Sequence, residues 1–148
     1  MLEVPALADM LDVLLPKLSF VSVGTNDLTQ FLFAADRANP KLAERYDWLS
    51  PAILRFLARV SRSFVGHDVQ LGVCGEMGGR RLEALALLGI GYRRLSITPA
   101  AVGPIKELVR KVDLGELTAQ MSRWLAAPPP DMRGALQQWA GERDIEVE

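Results

Sequence analysis

The sequence predicts an α/β protein with about four parallel strands and a helical tail. Short apolar runs alternate with stretches at helical spacing, the pattern of parallel strands joined by crossover helices. Two of the runs, Phe20–Val23 and Gln70–Cys74, are rich in apolar residues and run up to a glycine, as buried strands do. Beyond residue 97 the alternation stops and only helical spacing continues.

In order along the chain, Leu2–Val4 has the character of a strand end and Ala8–Leu15 the spacing of a helix. Phe20–Val23, stopped by Gly24, is a strand, and a helix follows over about Leu28–Ala35. Ser50-Pro51 is a strong helix start, with serine as N-cap and proline at the first helical position. Ile53, Leu54, Leu57 and Val60 then keep one helical face. Gln70–Cys74 is the next strand, Arg81–Leu88 a helix stopped by Gly89 and Gly91, and Arg94–Ile97 the last strand. Helices follow near Val102–Val112 and Gly115–Ala126. Pro128-Pro129-Pro130 breaks the chain, and Asp131 stands where it would cap a terminal helix. The expected division is a body, residues 1–127, and a proline break with a terminal helix, residues 128–148. Four parallel strands suit a small open sheet or half of an eight-stranded barrel, and pattern alone leaves both open.

Composition narrows the function. The chain has 148 residues, 49% apolar and 24% charged, which is globular composition for one domain of ordinary size. A net charge of −1 carries no electrostatic footprint for nucleic acid. No window approaches about twenty uninterrupted apolar residues, so no membrane insertion is expected. The opening Met-Leu-Glu-Val-Pro lacks the basic and apolar regions of a secretory signal. The single cysteine, Cys74, leaves no internal disulfide and fits a reducing cytoplasm. The single histidine, His67, excludes a multi-histidine metal site.

In α/β folds of this type, ligands sit at the carboxyl ends of the strands. Those ends deposit Glu3, then Gly24-Thr25-Asn26-Asp27, then Cys74-Gly75-Glu76, and finally Thr98-Pro99. Glu3 and Asp27 are hard oxygen donors of the kind that suits Mg²⁺. Each candidate also has a plainer reading. Asp27 with Gln30 fits a helix N-cap and its capping-box partner. Glu3 fits a surface residue, Cys74 a small buried hydrophobe, and Arg37 a solvated loop charge. His67, in a Gly-His-Asp turn ahead of a strand, lies on the opposite rim and is read as structural.

Phe20–Asn39, F-V-S-V-G-T-N-D-L-T-Q-F-L-F-A-A-D-R-A-N, resembles the signature of phosphoenolpyruvate-utilising enzymes. That group contains Enzyme I of the bacterial phosphotransferase system, pyruvate phosphate dikinase and phosphoenolpyruvate synthase. Cys74–Gly79, C-G-E-M-G-G, resembles the group's second signature, and L-E-V-P resembles the strand carrying a metal-binding glutamate. The resemblance runs from Leu2 to about Arg110. Within the group, A-A-D-R-A-N and C-G-E-M favour Enzyme I. S-P-A-I-L-R and G-Y-R-R-L-S are most similar to its nitrogen-related branch.

The resemblance implies the C-terminal half of a (β/α)8 TIM barrel plus a helical tail. It implies phosphoenolpyruvate as phosphoryl donor, pyruvate as product, and transfer to a histidine on a missing domain and then to an HPr-like carrier. Residue by residue, Glu3 and Asp27 would ligate Mg²⁺, and Asn26 would hydrogen-bond the substrate phosphate. Arg37 would pair with that phosphate through its planar fork. Cys74 would be the general acid that protonates the enolate methylene, a role open to a thiol with an unperturbed pKa of about 8.5. Gly24, Gly75 and Gly78 would admit close backbone approach to the ligand. Arg80-Arg81 departs from the family pattern and puts cations at a helix start, which is mildly unfavourable. The phospho-accepting histidine and further substrate arginines have no counterpart here, so turnover is expected only with the rest of a longer protein. The alternatives are a non-catalytic dimerisation or regulatory module, or the pyruvate phosphate dikinase and phosphoenolpyruvate synthase branch of the group. A homodimer is expected on either reading, because a half-barrel leaves open strand edges and Enzyme I pairs through its carboxy-terminal domain.

Overall fold

Two of the expected strands form a ladder. In a computed structural model, which describes residues 1–147 with the side chains of 43–45 excepted, β1 (Phe20–Gly24) and β2 (Gln70–Cys74) pair in parallel. Their register runs from Phe20 opposite Gln70 to Gly24 opposite Cys74. The two outer strands shrink to single parallel bridges, Leu2 to Val23 on one side and Val73 to Leu95 on the other. Each outer segment soon meets a proline at the first turn of a helix, Pro5 in α1 (Pro5–Ala8) and Pro99 in α6 (Pro99–Lys111). A proline there has no N–H to extend a ladder. The four parallel rows nevertheless follow chain order, Leu2, β1, β2, Leu95.

The expected helix over Ala8–Leu15 is split into α1 and α2 (Leu11–Leu14), closed by a 3-10 turn, Leu15–Lys17. α3 (Thr25–Phe33) begins directly at the end of β1, three residues ahead of the expected Leu28. α4 (Pro51–Ser63) starts as expected, with Ser50 Oγ accepting from the Ala52 amide at 3.3 Å. It buries Ile53, Leu54, Leu57, Ala58 and Val60. α5 (Arg81–Gly89) is buried at every position from Leu82 to Gly89, the all-round burial of a central helix. α6, α7 (Leu114–Ala126) and α8 (Met132–Gly141) all pack on it. Asp131 caps α8, accepting from the Gly134 amide at 2.9 Å, and Asp113 caps α7 in the same way through Glu116. Leu136, Trp139 and Ala140 of α8 join Val21, Val23 and Val73 in one apolar core.

Long-range polar contacts fasten this arrangement. Tyr92 is fully buried and its hydroxyl donates to the Leu57 carbonyl at 3.1 Å, while burial pushes its phenol pKa up. The two arginines at the start of α5 both find partners. Arg81 lies between Glu107 at 3.2 Å and Glu146 at 3.0 Å, and Arg80 stacks over Trp48 at 4.9 Å. Carboxylates from α6 and the terminal segment thus offset the unfavourable dipole position of Arg81.

Candidate functional site

The carboxyl ends of the parallel rows bring the sequence-derived residues to one rim. Leu2 sits beside Val23, so Glu3 follows at the level of Gly24. A Cβ on Gly24 would come within 2.6 Å of Glu3 Cγ and 2.7 Å of its Oε1, so only glycine lets this carboxylate lie over the strand end. Cys74 is the last residue of β2, level with Gly24 across the ladder. Its half-buried thiol lies 3.5 Å from the Val23 carbonyl and 3.6 Å from Met1 Sδ. It is therefore a rim thiol rather than a core side chain.

Asn26 and Asp27 occupy the first turn of α3. The capping-box reading of Asp27 fails, because Gly24 is the N-cap residue and no side chain caps the helix. Helix entry is set across the sheet instead, by the buried Thr25 hydroxyl donating to the Cys74 carbonyl at 3.1 Å. Asp27 is left to face Arg37, whose Nη2 lies 3.5 Å from Asp27 Oδ1. Both side chains are nearly half exposed, so the attraction is worth at most about 1 kcal/mol and is easily exchanged for another partner. Gln30, the supposed capping partner, accepts from the Arg37 backbone N–H at 3.2 Å.

Gly75 turns the chain sharply after β2, with φ +100° and ψ −178°. This brings Glu76 against Asn26. Asn26 Nδ2 donates to Glu76 Oε1 at 3.2 Å, and the Glu76 N–H donates to Asn26 Oδ1 at 3.2 Å. Glu76 and Thr25 lie in the strand-end segments that the sequence places on the rim, but sequence reasoning assigns neither of them a role. His67 is exposed in the turn ahead of β2, away from these groups, as expected.

Among the described residues, no group of three or more His, Cys, Asp or Glu side chains gathers to hold a metal ion. Glu3 and Asp27 provide two hard carboxylates, the number a cation keeping several waters typically takes from protein. A groove lined by Gly75, Glu76, Arg80, Ser96 and Thr98, all from β2 onward, includes none of the five candidate residues. A wider groove, lined by Phe56, Arg59, Leu71, Met121 and Leu125 between α4 and α7, includes none of the five candidate residues. No helix among the described residues is long and apolar enough to cross a membrane.

Comparison with known proteins matches residues 1–114 to a family described as PEP-utilising enzyme, PEP-binding domain. A protein of Escherichia coli K12 called "Phosphoenolpyruvate-dependent phosphotransferase system" is 44% identical over 127 residues, 86% of this chain and 17% of its own length. A "Phosphoenolpyruvate-protein phosphotransferase" of Borreliella burgdorferi is 44% identical over 117 residues, 79% of this chain and 20% of its own length. A protein of the same name from Cupriavidus necator is 37% identical over 141 residues, 95% of this chain and 24% of its own length. The chain thus spans about a fifth of the length of the curated relatives it matches.

Proposed function

Because the chain belongs to the PEP-binding domain family of PEP-utilising enzymes, we propose that it is the phosphoenolpyruvate-binding portion of a phosphoenolpyruvate-protein phosphotransferase, Enzyme I of the phosphotransferase system. One observation carries the reading. Carboxylates, an amide and a thiol from separate segments share the carboxyl rim of parallel rows, with an arginine 3.5 Å from one carboxylate. The row order supports the C-terminal half of a (β/α)8 barrel over residues 1–127, followed by a terminal segment, 128–148. A doubly wound sheet reverses its strand order at the ligand site, whereas barrel rows follow chain order as these do.

Glu3 and Asp27 would hold Mg²⁺, which when bound supplies positive charge to the phosphate and carboxylate oxygens of phosphoenolpyruvate. Arg37 would exchange its weak pairing with Asp27 for a forked pair of bonds to the phosphate. Asn26 would turn its Nδ2 from Glu76 to a phosphate oxygen. Phosphoryl transfer passes through a loose transition state with charge spread over the equatorial oxygens. Donors and cations fixed around those oxygens therefore supply most of the catalysis. As the P–O bond breaks, the phosphoryl group leaves for a histidine on another domain and then an HPr-like carrier. The Cys74 thiol gives its proton to the enolate methylene carbon, and pyruvate results.

The S-P-A-I-L-R and G-Y-R-R-L-S segments support the nitrogen-related branch, and the single cysteine supports a cytoplasmic home. The parent protein would pair as a homodimer, which light scattering checks. Isothermal titration of the chain with phosphoenolpyruvate, or with oxalate as an enolate analogue, tests the site. Binding that requires Mg²⁺ and is lost in Glu3→Gln and Asp27→Asn is expected. A folded chain that takes neither ligand would instead be a non-catalytic dimerisation or regulatory module.

A further inference from the structure

α8 lies beyond the matched residues 1–114, yet one of its side chains, Arg133, 41% exposed, reaches a buried carboxylate of the body. Arg133 Nη2 donates to Asp47 Oδ1 at 2.8 Å and to Glu83 Oε1 at 2.9 Å. Glu83 projects from the central helix α5 and its side chain is only 4% exposed. A carboxylate at such a place requires a cation hydrogen-bonded to it. Burial alone would lower the Arg133 pKa, but hydrogen bonds and charge from Asp47 and Glu83 outweigh it and raise the pKa. The clamp is therefore a permanent cation between two carboxylates.

Asp47, 45% exposed, is the outer end of that clamp. The same Oδ1 accepts the Leu49 N–H at 3.0 Å, and the Asp47 carbonyl accepts the Ser50 N–H at 2.9 Å. These bonds shape the turn that launches α4 and closes the connection 36–50. Among the described residues, Tyr46 Oη and Trp48 Nε1 are buried without hydrogen-bond partners.

The connection leads to the rim by two routes. At its near end it carries Arg37, tied to Gln30 and facing Asp27. At its far end the Trp48 ring lies under Arg80, whose Nη2 is 4.0 Å from Glu76 Oε2. Glu76 in turn holds both ends of the Asn26 amide.

We propose that Arg133 is a positioning residue: by clamping Asp47 to buried Glu83, it sets the 36–50 connection and so places Arg37 and Asn26 for oxyanion capture. The capture itself rests on the reading under Proposed function, while the clamp stands on its own contacts.

The test uses the full 148-residue chain and the double variant Glu83→Met/Arg133→Met. Replacing an ion pair whose carboxylate is buried with apolar side chains of similar size is often neutral or stabilising, so α8 is expected to stay packed while Asp47 loses its clamp. Arg133→Met alone would leave the Glu83 carboxylate buried and unpaired, which the double variant avoids. Hydrogen exchange is followed residue by residue, and Mg²⁺–phosphoenolpyruvate binding is titrated in parallel. The double variant is expected to melt near the parent, to exchange amides of 36–50 about tenfold faster, and to bind about tenfold more weakly. Arg133→Lys, which keeps the charge on a shorter side chain that must reach both carboxylates, should fall between the two. A double variant of parental stability with unchanged exchange over 36–50 would overturn the proposal, since that is what a purely structural ion pair predicts. Were the parent chain to bind no Mg²⁺–phosphoenolpyruvate, the phosphotransferase reading would fall and the exchange result alone would decide the clamp.

Discussion

Replacing Gly75 with alanine should damage both stability and the rim, by an amount that can be worked from the geometry. At φ +100° and ψ −178°, Gly75 occupies a region that other residues enter only at a strain of about 1–3 kcal/mol. The added Cβ would also lie 2.7 Å from Thr25 Oγ1 and 3.1 Å from Asn26 Oδ1. Thr25 is only 1% exposed, and its hydroxyl is committed to the Cys74 carbonyl at 3.1 Å. Displacing it would leave a buried hydroxyl unpaired at a cost of about 1–3 kcal/mol. One backbone shift relieves part of both, so the sum is less than additive, about 2–5 kcal/mol. That is a large part of the roughly 5–15 kcal/mol that holds a domain together. Gly66→Ala is the control. Its φ is +86° but nothing lies within 4 Å of the added Cβ, so it pays only a backbone term of about 1–2 kcal/mol. Urea denaturation of the parent and both variants gives the comparison. Binding of Mg²⁺–phosphoenolpyruvate should weaken in Gly75→Ala and hold in Gly66→Ala. Equal losses of stability in the two variants would refute the close-approach reasoning.

Two further outcomes follow from the core. Tyr92 has a folded-state pKa raised above 10.0 by burial, so its stabilising effect is complete below about pH 10 and is lost as pH rises beyond it. The slope approaches about 1.4 kcal/mol per pH unit, and Tyr92→Phe should flatten it while costing about 1 kcal/mol near neutrality, measured by urea melts from about pH 8 to 11; parallel curves for the two proteins would count against it. Gly89→Ala would set a Cβ 3.0 Å from Leu117 Cγ and closer still to Met121 Cγ. Overpacking of about 1–3 kcal/mol exceeds a helix-propensity gain of at most about 1, so a net loss is expected in urea melts, and a gain would show that α7 is free to move aside.

Much of the frame was legible because its signals are local. Ser50-Pro51 and Asp131 start helices through bonds spanning two or three residues, so the sequence alone locates them. The apolar runs that became β1 and β2 are equally local, and their carboxyl ends identified Glu3, Asn26, Asp27 and Cys74 as rim residues. The plainer capping reading of Asp27 was local too, and it fails. A plausible local partner, Gln30, stood three residues away, but a bond from Thr25 to Cys74, 49 residues off, set the helix start instead.

The sequence by itself determined the alternation of strands and helices, the family and the residues that line the rim. Only the tertiary structure decided how those residues are held. The outer rows reduce to single bridges, Glu76 occupies the Asn26 amide, and Arg81 finds Glu107 and Glu146. Arg133 finds Asp47 and Glu83, 86 and 50 residues away. Charge pairing acts through a few ångströms of space and carries no periodic trace along the chain, so folding had to bring these groups together before their roles could be read.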